Sequence, residues 1–111
     1  MPKADKLQGS LDLLVLKILS RRAPLHGYAI MTAIEEVSGE VLQVEEGSLY
    51  PALHRMEEAG LIRATWIVKD KERARRSRVY ELTPAGRKQL ASDEERWAAV
   101  ADAVFRVLKH A

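Results

Sequence analysis

Positive charge gathers in one stretch of this sequence, where Lys69, Lys71, Arg73, Arg75, Arg76 and Arg78 face only Asp70 and Glu72. Basic groups at that density suit a ladder of phosphates. They displace the counterions condensed on a nucleic acid, and arginine also fits a narrow minor groove. The same stretch also reads as a charged loop that does no more than keep the chain solvated. A second stretch runs from Glu46 to Glu57, with Leu49, Leu53 and Met56 at helical spacing. If those three face a core, Ser48, Tyr50, Pro51, His54 and Arg55 turn toward solvent near the helix start. Hydroxyls and a free helix N-terminus favour phosphate, and Arg or His reaches base edges. Pro51 costs little there, because first-turn amides have no acceptor within the helix. Glu57 and Glu58 would be repelled by phosphate and are expected farther from it. The plainer reading of Tyr50 and His54 is a pair of half-buried side chains.

These groups need a frame to hold them. Ser10 is placed to cap a helix over Leu11–Ser20, whose Leu11, Leu14, Val15, Ile18 and Leu19 form a broad apolar stripe. Pro24-Leu25-His26-Gly27 breaks it, and a second helix is expected over Tyr28–Val37, with Ile30, Ala33, Ile34 and Val37 inward. Val41, Leu42 and Val44 form an apolar connector to a third helix over Ser48–Ala59, with Gly60 as its stop. From Leu61 the period becomes two. Ile62, Ala64, Trp66 and Val68 alternate with Arg63, Thr65 and Ile67, which predicts a half-buried strand; a second run spans Arg78–Leu82. The polar segment Lys69–Ser77 between them is too long for a tight turn, which predicts a hairpin with an extended, flexible tip. Thr83-Pro84 then signals a last helix reaching about Lys109.

Three helices followed by a hairpin is the winged variant of the helix-turn-helix. Its third helix enters a major groove while the hairpin tip reaches the flanking backbone. The expected class is therefore mainly α with a small β-hairpin: a winged helix-turn-helix over residues 1–83 and a long C-terminal dimerisation helix over residues 84–111. In that last helix Leu90, Trp97 and Val104 recur every seven residues, Val100 and Val107 form a second row, and Ala101, Phe105 and Leu108 lie beside them. So small a domain cannot cover those rows alone, so a homodimer is the economical partner. Asp93, Glu94, Glu95 and Arg96 interrupt the pattern before Trp97, so it is no continuous zipper.

Composition narrows the field further. The 111 residues carry a formal net charge of +2 and no cysteine, so there is no disulfide framework, thiolate metal site or cysteine nucleophile. Three scattered histidines make no metal site, and no cofactor is expected. Glycine-rich phosphate loops and nucleophile elbows are missing, and the acids fall mostly on helix surfaces or ends, which argues against an enzyme. The start of the chain is polar and basic, and no run is apolar for long enough to span a bilayer, so a cytoplasmic protein without a membrane partner is expected.

Four stretches carry a family resemblance. Gly9-Ser10-Leu11-Asp12-Leu13-Leu14-Val15-Leu16, His26-Gly27-Tyr28-Ala29-Ile30, Gly47 to Glu57 with Gly60-Leu61-Ile62, and Tyr80-Glu81-Leu82-Thr83-Pro84-Ala85-Gly86 occur in an order and spacing that resemble PadR-like regulators. Ser48-Leu49-Tyr50-Pro51 is the most distinctive of them. The resemblance implies a dimeric repressor on an inverted repeat of double-stranded DNA. By position it implies that Ser48, Tyr50, His54 and Arg55 are recognition-helix contacts and that the wing arginines touch backbone or minor groove. His26 and Tyr28 read instead as packing around the start of the second helix. The single helix after the wing resembles the compact branch of the family, in which an aromatic at the position of Trp97 is thought to line a pocket for a planar apolar effector; the alternative is that Trp97 simply fills the interface. The competing functional class is a winged helix that binds protein, which predicts an apolar, weakly charged third-helix surface. The polar surface expected here, beside a basic wing, favours DNA.

Overall fold

The computed structural model describes residues 3–70, 72 and 75–111. Seven elements follow in the order α1 (Lys3–Arg22), β1 (Leu25–His26), α2 (Gly27–Val37), α3 (Glu46–Glu58), β2 (Ile62–Asp70), β3 (Arg75–Leu82) and α4 (Pro84–His110). The core forms where the apolar stripes of the first three helices meet: Leu11, Val15, Leu16 and Leu19 of α1, Ile30, Ala33 and Ile34 of α2, and Leu49, Leu53 and Met56 of α3 are all buried. Each large side chain removed from water in this way contributes about 1.5–3 kcal/mol. Ile62 and Leu82, opposite each other on β2 and β3, close the core from the sheet side.

Helix ends follow local chemistry. After α3 the chain makes a Schellman turn, in which Leu61 N–H donates to Met56 O at 2.9 Å and Gly60 N–H to Glu57 O at 3.0 Å; Gly60 supplies the positive φ of 76° this turn needs. Thr83 caps α4, its Oγ1 accepting from Gly86 N–H at 3.0 Å and donating to Gly60 O at 2.6 Å. The start of α4 thus locks onto the end of α3. Gly86 is required in that joint, since a Cβ there would lie 2.0 Å from the Leu61 carbonyl oxygen.

Several expectations need correction. α1 begins at Lys3 and runs through Gly9 and Ser10, so Ser10 is not its cap; the preceding residues are mostly good helix formers, and helix continues through them. β1 was not anticipated. Two residues are too few to show a period, yet Leu25 pairs with Tyr80 and His26 with Val79 to give a three-stranded antiparallel sheet of order β1-β3-β2. The hairpin is longer and its connection shorter than the polar segment suggested: Asp70 pairs with Arg75 across a register shift after Val68. Burial on β2 stops at Ala64, and Trp66, Ile67 and Val68 are exposed where the hairpin projects past the helices. Val37 also faces solvent.

Candidate nucleic-acid interface

Burial of Leu49, Ala52, Leu53 and Met56 on one side of α3 leaves Tyr50, Pro51, His54 and Arg55 exposed on the other, with Ser48 half-buried at its edge. The helix starts two residues before the expected position, and Glu45 and Glu46 occupy its cap and first turn. Carboxylates there occupy the positive end of the helix dipole, so the helix start does not offer the free phosphate seat anticipated from the sequence. The outward middle of α3 is the face that remains.

Three side chains on that face have close neighbours. His54 Nε2 lies 2.8 Å from Glu58 one turn on, an ion pair when the ring is protonated. Arg55 reaches back to α1, its Nη2 donating to Asp12 Oδ1 at 2.9 Å. Arg55 is thus exposed yet engaged with the neighbouring helix. The Tyr50 ring lies over the start of α2, where Gly27 leaves room: a Cβ at that position would sit 2.8 Å from Tyr50 Cε1.

Beside Tyr50 opens a cleft of about 370 Å³, lined by His26, Gly27, Tyr28, Ala29, Tyr50, Ser77, Arg78 and Tyr80. His26 and Tyr28 therefore flank the candidate interface. His26 Nδ1 lies 2.6 Å from Ser77 Oγ and 3.2 Å from Arg78 O, which ties the start of α2 to the wing strand. Tyr28 is 65% exposed and does not pack as expected. The sequence signal for both was the His26-Gly27-Tyr28 motif itself.

On the wing, Lys69 and Arg75 lie on the paired strands, while Lys71 and Arg73 lie outside the described residues. Arg76 is exposed. Arg78 is half-buried and turned toward the head: its Nη2 donates to Glu57 Oε2 at 2.8 Å, and its guanidinium lies over Trp66 and Tyr80. Burial pushes the Tyr80 hydroxyl above the usual tyrosine range, against the opposing pull of Arg78, so this ring stays neutral at neutral pH. From the sequence alone Arg78 reads as one of the open wing cations, and Trp66 as one more residue of an alternating strand.

The apolar rows of α4 divide. Leu90, placed with the interface row by its heptad spacing, belongs to the head core and is 6% exposed, so it cannot serve a partner. Trp97, Val100, Val104, Phe105, Val107 and Leu108 are each at least half exposed, and Ala101 is half-buried. Lys17 Nζ pairs with Glu94 Oε1 at 3.1 Å, fastening α4 to α1 just before this open stretch. Among the described residues no cluster of His, Cys, Asp and Glu is placed to hold a metal ion, and no helix is long and apolar enough to cross a membrane.

Similarity to known proteins agrees with this architecture. The chain is 44% identical over 82 residues to an uncharacterised 37.1 kDa protein in transposon TN4556 of Streptomyces fradiae, covering 74% of this chain and 21% of that one. It is 44% identical over 59 residues to the transcriptional regulator Rv3488 of Mycobacterium tuberculosis, covering 53% of this chain and 52% of that one. The matched stretches thus span from a fifth to about half of these relatives. Among solved structures, a transcriptional regulator from Clostridium thermocellum superposes with a TM-score of 0.82 at 25% identity, over 92% of this chain and 96% of that one. Bacillus subtilis PadR in complex with operator DNA shares the fold at a TM-score of 0.65 and 24% identity, over 74% of this chain and 45% of that one. The sequence model of the transcriptional regulator PadR-like family matches residues 15–92, and the chain belongs to that family.

Proposed function

We propose that this protein is a sequence-specific DNA-binding regulator that acts as a homodimeric repressor on an inverted-repeat promoter site. The observation that carries this reading is the exposed α3 face, with Tyr50 and His54, whose Tyr50 shares a cleft with Ser77 and Arg78 of the wing, in a fold shared with a PadR captured on operator DNA. Residues 1–83 form the DNA-binding head, and residues 84–111 form the dimerisation helix. Two copies joined through Trp97, Val100, Val104 and their neighbours on α4 set two α3 helices about one DNA turn apart, and occupancy of the promoter blocks transcription. Ser48, Tyr50 and His54 read the groove, Arg55 supports them from the α1 side, and the wing cations take the flanking backbone. Release follows from a change in the angle between the heads, for which a planar apolar compound seated at Trp97 between the two copies is the effector of this reading.

The test is fluorescence anisotropy with duplex DNA from upstream of the protein's own gene, against unrelated competitor and across salt. Saturable binding that resists competitor should weaken roughly a thousandfold or more between 50 and 200 mM salt if about six or more phosphates are engaged. Failure to bind any duplex at low salt would reject the reading in favour of a protein-binding adaptor.

A further inference from the structure

Along one face of the wing, cations and aromatic rings alternate. The guanidinium carbons of Arg76 and Arg78 lie over the Trp66 ring at 5.4 and 5.5 Å from its centre, and Arg78 also lies 6.0 Å from the centre of Tyr80. Strand register sets the order: Ala64 stands opposite Tyr80, Trp66 opposite Arg78 and Val68 opposite Arg76, so these side chains share one sheet face. The two ends of this ladder differ. At the inner end Tyr80 is buried and Arg78 is ion-paired to Glu57 of α3. At the outer end Arg76 is exposed. Between them Trp66 is 57% exposed. A ring of that size is normally buried, whereas this one is more than half exposed and has two guanidinium groups over it.

We propose that Trp66 is a positioning residue for DNA binding: it holds the Arg76 guanidinium at the outer end of the ladder, aimed at a backbone phosphate beside the α3 site. This rests on the DNA-binding reading above. An arginine on an exposed strand samples many rotamers, and ordering it only when DNA arrives weakens the contact. Stacking on Trp66 confines the side chain beforehand while leaving its charge and N–H groups open to an anion. Arg78, fixed by Glu57, completes the support by tying the Trp66 side of the wing to the helix that reads the groove. Arg76 is then the contact and Arg78 the brace.

A double-mutant cycle of Trp66→Ala and Arg76→Ala tests this, using a labelled duplex selected from a random pool by the wild-type protein. Trp66→Ala should weaken binding about two- to fivefold per wing, the value of one exposed cation–π contact. Arg76→Ala should weaken it more and lower the salt slope by about one per wing. In the Arg76→Ala background, Trp66→Ala should add nothing, and Trp66→Tyr should restore most of the loss in the single variant. In the free protein, Arg76→Ala should alter tryptophan emission, and the change should vanish in the Trp66→Ala background, where Trp97 alone emits. Thermal melts of each variant separate these effects from misfolding. Additive losses in folded variants, or a tyrosine that fails to rescue, would overturn the role of Trp66 while leaving DNA binding standing. A wild-type protein that selects and binds no duplex would overturn both.

Discussion

α3 and the second half of α4 both carry apolar residues at helical spacing, and the fold treats them in opposite ways. In α3, Leu49, Leu53 and Met56 are buried by α1, α2 and the sheet. In α4, Trp97, Val104 and Leu108 have no cover of that kind and stand in solvent. The difference lies in what surrounds each helix, since neither spacing nor residue type separates them. α3 lies inside a head that closes on itself, whereas α4 leaves that head after Leu90 and the Lys17–Glu94 pair and carries its apolar surface away from the core. One helix stabilises the protomer, and the other is suited to stabilising an assembly of protomers.

The sharpest way to break this contrast is to remove the same atoms from each side. Leu49→Ala should cost about 2–5 kcal/mol in urea unfolding, through lost transfer energy and the cavity left behind, independently of protein concentration. Leu108→Ala should leave the stability of the dissociated protomer within about 0.5 kcal/mol, as surface changes do. If α4 joins two copies as proposed, the variant's cost should emerge as the protein is concentrated, because association stabilises the folded state by mass action. Equal, concentration-independent losses would mean that the α4 tail is part of the head's own core.

A smaller effect is expected where the two regions join. The first turn of α4 comes so close to the Leu61 carbonyl that Gly86→Ala must displace either α4 or the turn after α3. The expected loss is about 1–3 kcal/mol by overpacking. The joint also sets the direction of α4, so the variant should dimerise more weakly even where the head remains folded, as sedimentation would reveal. A destabilised head with unaltered association would show that the joint does not aim the tail.

Much of the fold was legible because period and caps are local. The inward face of α3 follows from the spacing of Leu49, Leu53 and Met56, and the start of α4 from Thr83-Pro84. What the sequence hid was set by approach between distant segments. β1 exists because Leu25 and His26 come to lie along β3, and two residues show no period. Leu90 matches the heptad of Trp97 and Val104, yet the head reaches it and not them; spacing reports a face and never says what covers it. Trp66 fits an alternating strand, but Ala64 is the last residue of β2 packed against the core on that face, and two guanidinium groups lie over Trp66 instead. Charge counting identified the wing and could not tell which cations were already occupied, because the partner of Arg78 lies 21 residues away on α3.

Arg55 presents the same problem on α3, and its variant should produce the smallest effect. Its pair with Asp12 is half exposed, and such pairs contribute about 0–1 kcal/mol, so Arg55→Ala and Asp12→Asn should each lower stability by no more than that. Their effects should not add, since each removes the same contact. If the ion pair keeps Arg55 on the α1 side, Arg55→Ala should lower affinity for the selected duplex uniformly and slightly, whereas Tyr50→Ala and His54→Ala should change which sequences are preferred. A change of preference at one base position with Arg55→Ala would show that the guanidinium leaves Asp12 when DNA binds. The head's outer face would then be rearranged by its ligand instead of presented ready-made.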